Sequence, residues 1–308
     1  MVVHPLTPTA EQRLILFPGA LGDLLCCWPA LDALGAHGLA LTVAARPALV
    51  DALPAGAVTT WSIDRREVAE LFGVGPLSAG IRALFAGFAA VDSFTGHGDP
   101  HFVARLAQAA TAIVRVHPFR AMQPGETARD YYARCLAVTP LLRPLALRPD
   151  AVAWANALWQ QARLGQRALV IHPGSGSPAK NWQGMEAVAQ RWRDSGGRVI
   201  ALRGPAEIER GARLVARDLE LDGEPLSHVA AVLARADRYL GNDSGISHLA
   251  GLVGAHAVVL FGDSDRRVWA PVGDGVRVLQ AAARCARCTP TDLCLHRLSI
   301  DDVMAALD

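Results

Sequence analysis

The chain has 308 residues, 51% hydrophobic and 19% charged, with a formal net charge of +1. That length exceeds what one hydrophobic core organises, so two domains are expected. The near-zero charge gives no electrostatic footprint for nucleic acid, and no apolar run spans a membrane without charge or Gly/Pro interruption.

In chain order, residues 13–17 form a short apolar strand and 18–22 a turn. A helix opens at Asp23 and runs to about residue 36, with Leu24, Leu25, Trp28, Leu31 and Leu34 as its apolar stripe. Further strands are expected at 39–44, 58–61, 89–94 and 112–116, with helical patterns from about 47 and at 68–72, 78–86, 102–109 and 127–137. The Pro-punctuated stretch 140–149 reads as an interdomain linker, and Asp150 caps a helix running through Arg163. The second half alternates likewise: strand 168–172, helix 183–194, strand 198–202, helices 206–219 and 227–236, strand 238–241, helix 244–253 and strand 257–261. Ser299-Ile300-Asp301-Asp302 resembles a capping box opening a final helix. The alternation predicts an α/β protein of two Rossmann-like, doubly wound domains facing a cleft, at residues 1–148 and 149–308. The last helix is free, on this reading, to pack back on the first domain. Ligands in such sheets bind beyond the carboxyl ends of the strands.

Residues 1–11 lack the apolar core of an export signal, and six cysteines in a chain this long do not make a secreted disulfide framework. A cytoplasmic protein is expected, with peripheral contact at the inner membrane face left open. Cys26, Cys27 and Cys135 lie in apolar helical context and read as buried thiols.

Three turns carry chemistry. In Gly241-Asn242-Asp243-Ser244-Gly245 an apolar strand gives way to a helix whose first N–H groups, with the dipole behind them, suit a phosphate. Four residues beyond Ser244, on the same helix face, His248 either donates to that phosphate or packs against a strand end. Upstream, His172-Pro173-Gly174-Ser175-Gly176-Ser177 joins another strand to Lys180. Its backbone and hydroxyl donors can wrap oxygens, and the Lys180 ammonium can neutralise a diphosphate. The spacing is not that of a Walker A loop, and no Gly-x-Gly-x-x-Gly fingerprint follows the first strand. The third turn, Phe17-Pro18-Gly19-Ala20-Leu21-Gly22-Asp23, sets a carboxylate at a strand-to-helix junction. Spacing alone favours Asp23 as a helix cap; the alternative is a general base facing a cleft.

These motifs fall in order along nearly the whole chain. They are Leu21-Gly22-Asp23; His172-Pro173-Gly174 with Lys180-x-Trp182; Gly241-Asn242-Asp243-Ser244-Gly245 with His248-Leu249-Ala250; and Leu260-Phe261-Gly262-Asp263-Ser264-Asp265 with Trp269-x-Pro271. Together they resemble glycosyltransferase family 9, the lipopolysaccharide heptosyltransferases. The resemblance implies a GT-B fold and an inverting, metal-independent transfer. A heptose or related sugar would move from an ADP-activated or other nucleotide donor to a saccharide or glycolipid acceptor of the cell envelope. It implies Asp23 as the base on the acceptor hydroxyl, and Ser175, Gly176, Ser177 and Lys180 as the diphosphate turn. Asp243, Ser244, Gly245 and His248 would form the second donor turn, and Glu207 would sit near the nucleotide ribose, with Glu209 competing for that place. No cofactor is implied. Phe17 and Pro18 depart from the family pattern, in which a basic residue six positions before the Asp serves an acidic acceptor. Asp243-Ser244 replaces a frequent Asp-Thr.

Near the C-terminus, Cys285-x-x-Cys288, Cys294 and His296 offer four soft ligands. The one-residue gap between Cys294 and His296 is not a usual zinc spacing, so no metal is assigned, and a structural zinc, a labile disulfide and free thiols stay open. A Rossmann oxidoreductase is the rival enzyme class, disfavoured by the missing glycine fingerprint. A donor-switched or catalytically altered nucleotide-sugar binder is the other rival.

Overall fold

The structure, a computed structural model, describes residues 12–110, 112–280 and 295–308, the side chain of His296 excepted. The first sheet has five strands: β1 (Gln12–Leu16), β2 (Ala40–Ala45), β3 (Thr59–Ser62), β4 (Ala90–Ser93) and β5 (Ile113–Val116). The second has six: β6 (Ala168–His172), β7 (Arg198–Arg203), β8 (Leu219–Asp222), β9 (Arg238–Asn242), β10 (Ala257–Phe261) and β11 (Val276–Gln280). Every pairing is parallel. The orders are β3-β2-β1-β4-β5 and β11-β10-β9-β6-β7-β8. Renumbering β6–β11 as 1–6 turns the second order into 3-2-1-4-5-6, the Rossmann arrangement, so both sheets are doubly wound as expected. Their order reverses between β1 and β4 and between β6 and β9.

Central strands of such sheets are covered on both faces and read as continuous apolar runs. Ala168–His172 and Ala257–Phe261 are buried at every residue. Leu169, Ile171, Leu240 and Leu260 pack with Trp182, Val188 and Trp192, while Leu14, Leu16 and Val91 pack with Ile81, Phe85 and Phe102.

The chain divides into two compact units. One comprises residues 12–19, 27–123 and 129–141, and the other residues 20–26, 124–128 and 142–308. Residues 20–26 thus group with the second sheet. The reason is visible at Gly245, where a Cβ would stand 2.8 Å from the Cβ of Leu21.

Several boundaries differ from the sequence reading. The helix expected over 206–219 ends at Glu209, Gly211 turns the chain at φ +65°, and Leu219–Asp222 forms β8 instead. Strand β11 had no counterpart in the reading. Asp150 does not cap its helix; Arg148 is the N-cap residue, and its guanidinium pairs with Asp150. The final helix, Ile300–Leu307, packs on the second sheet rather than back on the first domain. Its Val303 and Leu307 are fully buried in that core, and Ser299 caps it by accepting the Asp302 N–H at 3.0 Å.

Candidate functional site

The β6–β9 switch point is held together by one side chain. Asn242, fully buried at the end of β9, donates through Nδ2 to the carbonyl of Pro173 at 2.8 Å. Its Oδ1 accepts the N–H of Trp182 at 3.0 Å. An amide that donates and accepts at once fixes both turns in register. The motif around Asn242 gives it no role, and Asn181 falls at an unassigned position between Lys180 and Trp182. For Asn242 the signal was a polar amide set in an apolar strand end, which a buried position must satisfy.

Within the first turn, Ser175 is buried and spends its hydroxyl locally, 2.6 Å from the Ser177 carbonyl and 2.7 Å from Asn181 Oδ1. It shapes the turn. Gly176 is exposed and Ser177 partly so. Lys180, about one-third exposed, donates from Nζ to Asp243 at 2.7 Å, which ties the two turns across the switch point.

The helix Gly245–Leu252 begins with Ser244 as N-cap residue, yet no side chain caps it. The Ser244 hydroxyl lies instead 3.4 Å from His172 Nδ1 and 3.4 Å from Ser247 Oγ. Asp243 does not cap the helix either, being the partner of Lys180. The first turn of an uncapped helix keeps its N–H donors and positive dipole end for an anion.

Glu207 is buried beside this turn. Its Oε2 accepts the Gly204 N–H at 2.9 Å and stands 3.5 Å from His172 Nε2. Burial works against the charged carboxylate, but the His172 contact and the backbone N–H groups of Gly204 and Glu207 together outweigh it, and the pKa is lowered. Gly174 is a packing glycine here, because a Cβ would overlap the Glu207 carboxylate. Glu209 lies at the end of the same short helix and is exposed, so Glu207 is the acid that faces the turn.

Asp23 does not occupy the N-cap position. The helix starts two residues earlier, at Leu21, and Asp23 reaches back from its first turn, with Oδ2 accepting the Ala20 N–H at 3.2 Å. It is buried and lies close enough to His248 to act on it electrostatically, as do Asp243 and Lys180. His248 is buried too, and burial holds its pKa below the ordinary imidazole value despite both carboxylates. The second unit therefore brings Asp23, Lys180, Glu207, Asp243, Ser244, Gly245 and His248 to one end of its sheet.

The first unit carries a cavity of about 390 Å³ lined by Pro18, Arg46, Asp64, Phe72 and Thr95 among others, at the carboxyl ends of β1 to β4. Phe17 does not face it. It is fully buried and packs edge-on against Phe94, Phe119 and Tyr132, with centroids 5.5 to 5.9 Å apart. The absent basic residue is thus a core position in this chain. Nearby, fully buried Asp92 accepts from Arg13 Nε at 2.7 Å and Arg115 Nε at 2.8 Å, and lies 2.9 Å from His117 Nε2. Burial opposes its ionisation, but these partners override it and hold the carboxyl well below the usual range. Burial also disfavours the His117 cation, yet hydrogen bonds with Asp92 and Cys135 raise its pKa to about 9.

Among the described residues, no helix is long and apolar enough to cross a membrane. Cys285, Cys288 and Cys294 lie outside the described residues, as does the side chain of His296.

Comparison with known proteins agrees with this geometry. The model of glycosyltransferase family 9 (heptosyltransferase) matches residues 148–295. A family 9 glycosyltransferase from Veillonella parvula superposes with a TM-score of 0.77 at 17% identity, covering 96% of this chain and 95% of that one. The E. coli ADP-heptose LPS heptosyltransferase II gives 0.71 at 16% identity, covering 96% and 97%. E. coli heptosyltransferase WaaC, solved with ADP, gives 0.69 at 19% identity, covering 96% and 98%. A search of curated protein sequences gives no match. Two doubly wound parallel sheets with this match make the chain a glycosyltransferase of GT-B-like architecture. The match to glycosyltransferase family 9 itself falls within the second unit.

Proposed function

We propose that the protein transfers a heptose or closely related sugar from an ADP-activated donor to a saccharide acceptor of the lipopolysaccharide type, with inversion and without a metal. The observation that carries this reading is the placement of Asp23 in the unit that holds both donor turns, beside His248 and with the Lys180–Asp243 pair close to the same ring. Asp23 would take the proton of the acceptor hydroxyl as it attacks the anomeric carbon. The uncapped helix at Gly245 and the Lys180 ammonium would stabilise the charge that builds on the departing diphosphate. Lys180 has further N–H donors beyond the one that Asp243 accepts, so Asp243 would serve the donor by aiming Lys180. Ser177 and Gly176 would meet the diphosphate, with Ser175 holding their turn. Glu207 would accept from the ribose hydroxyls.

Two neighbours support the nucleotide: one solved relative is described with ADP, and another as an ADP-heptose enzyme. The cavity in the first unit supports a saccharide acceptor, offering Arg46, Asp64 and Thr95 to hydroxyl or anionic groups and Phe72 to a sugar face. Cysteine usage supports a cytoplasmic setting. Acting on a glycolipid there would bring the protein to the inner face of the membrane.

The test is a panel of ADP-, GDP- and UDP-sugars offered with acceptor glycans, followed by nucleotide release and product anomericity. Consumption of ADP-heptose with an inverted anomeric centre is the expected result. Consumption of a GDP- or UDP-sugar in its place refutes the donor, and retention of configuration refutes the mechanism.

A further inference from the structure

Cys26 read in the sequence as one of two adjacent buried thiols with no task. In the structure its Sγ stands 3.6 Å from Nδ1 of His248, with Cys26 4% and His248 6% exposed. The opposite edge of the same ring faces Gly22, the residue before Asp23. A Cβ built on Gly22 would stand 3.2 Å from Cδ2 and 3.6 Å from Nε2. Gly22 and Cys26 are one helical turn apart, so the helix that presents Asp23 also grips the imidazole at both edges.

We propose that Cys26 is a positioning residue: its thiol donates to Nδ1 of His248, fixes the imidazole as the Nε2–H tautomer, and so turns a hydrogen-bond donor toward the Gly22-Asp23 turn. This rests on the reading of that turn as the reaction centre. A neutral imidazole carries one N–H, and the partner of one nitrogen decides which nitrogen holds it. Burial favours the neutral ring of His248 over the pull of the nearby carboxylates. The groups that act on it are Asp23 from its own helix turn, Asp243 from the end of β9, and Lys180 across the switch point. Were the proton on Nδ1, an unprotonated Nε2 would face Gly22 as an acceptor, and sulfur would serve as a weak acceptor for Nδ1–H. With the proton on Nε2, the thiol uses its single hydrogen and the ring keeps a donor on the edge that faces Gly22. Gly22 keeps the space that this donor needs.

Long-range proton–nitrogen spectra of protein carrying nitrogen-15 histidine read the tautomer directly and need neither donor sugar nor turnover. The chain has ten histidines; His248 is assigned by its loss in His248→Gln. The expected pattern is Nε2–H in the unaltered protein, retained in Cys26→Ser and mixed or reversed in the near-isosteric Cys26→Val. In turnover, Cys26→Val is expected to lower kcat about fivefold, the worth of one net hydrogen bond. KM for the donor should stay constant, and Cys26→Ser should recover most of the loss. An Nδ1–H pattern in the unaltered protein overturns the proposal, and so does an unchanged Nε2–H pattern in Cys26→Val. Failure of the sugar panel would strike the functional reading and leave the tautomer result standing.

Discussion

Gly174→Ala tests how tightly the turn after β6 is built around Glu207. A Cβ at this position would overlap the Glu207 carboxylate and come within 2.5 Å of its Cγ, so a rotation of the carboxylate alone gives no relief. The whole side chain must leave. It then forfeits the charge-assisted bond from the Gly204 N–H, 2.9 Å in length, and the 3.5 Å contact with buried His172. The bond to a charged group is worth about 1.5–3 kcal/mol, and leaving buried His172 without this polar partner costs about a further 1–3 kcal/mol. Displacement toward solvent recovers part of this, which leaves a loss of about 3 kcal/mol. For a unit of this size that lowers Tm by roughly 6–12 °C. Titration calorimetry with ADP should show weaker binding by about tenfold, since the acid assigned to the ribose has moved. The control is the double variant. In a Glu207→Ala background the added methyl meets no carboxylate, so Gly174→Ala should cost almost nothing, a strong non-additivity between touching residues. A Gly174→Ala protein that melts with the unaltered one and binds ADP equally well refutes this account. Equal cost in both backgrounds would place the strain in the backbone instead.

Other substitutions follow from the same site. Asp23→Ala should abolish transfer while ADP affinity stays within about twofold, because a general base contributes to the chemical step rather than to donor binding; undiminished turnover rejects it as the base. Lys180→Ala should weaken ADP binding by about tenfold with little change in Tm, since the Lys180–Asp243 pair is partly exposed and worth at most about 1 kcal/mol to folding; unchanged calorimetric affinity removes Lys180 from the diphosphate. In the first unit, His117 gains affinity for its proton on folding, with a pKa of about 9 against an unfolded value near 6.5. Its contribution is therefore fully present below about pH 6.5 and lost as pH rises through 9. Urea melts of the unaltered protein and His117→Gln should differ at pH 6 and converge near pH 10, and a constant difference would contradict the assignment. Asp92→Asn leaves Arg13, Arg115 and His117 without their shared carboxylate and should cost about 3–5 kcal/mol; a loss under 1 kcal/mol would mean that other groups already compensate these cations.

The sequence by itself determined the α/β alternation, the two doubly wound sheets and the polar turns at the carboxyl ends of their strands. Apolar runs such as Ala168–His172 and Ala257–Phe261 must be buried on both faces, and Gly-rich polar turns must follow them, whatever else the chain does. Short edge elements were less legible. Leu219–Asp222 alternates leucine with acid, and its place in the sheet depends on pairing with β7 and on arginines at 203, 213 and 217 that meet Glu220. Local propensity over 206–219 reads as helix because those partners are distant in sequence.

Only the tertiary structure decided what each polar side chain does. Asp243, placed by resemblance in the donor turn, is the partner of Lys180, 63 residues away. Ser175 looked like a ligand donor and is consumed by its own turn. Phe17 looked like a lost cationic handle and is part of an aromatic core. Cys26 looked inert and touches His248 across 222 residues. A side chain with one or two hydrogen-bonding atoms takes whichever partner the folded chain brings within about 3 Å. That choice is made by contacts between remote segments, so spacing along the chain locates the turns but does not assign the bonds within them.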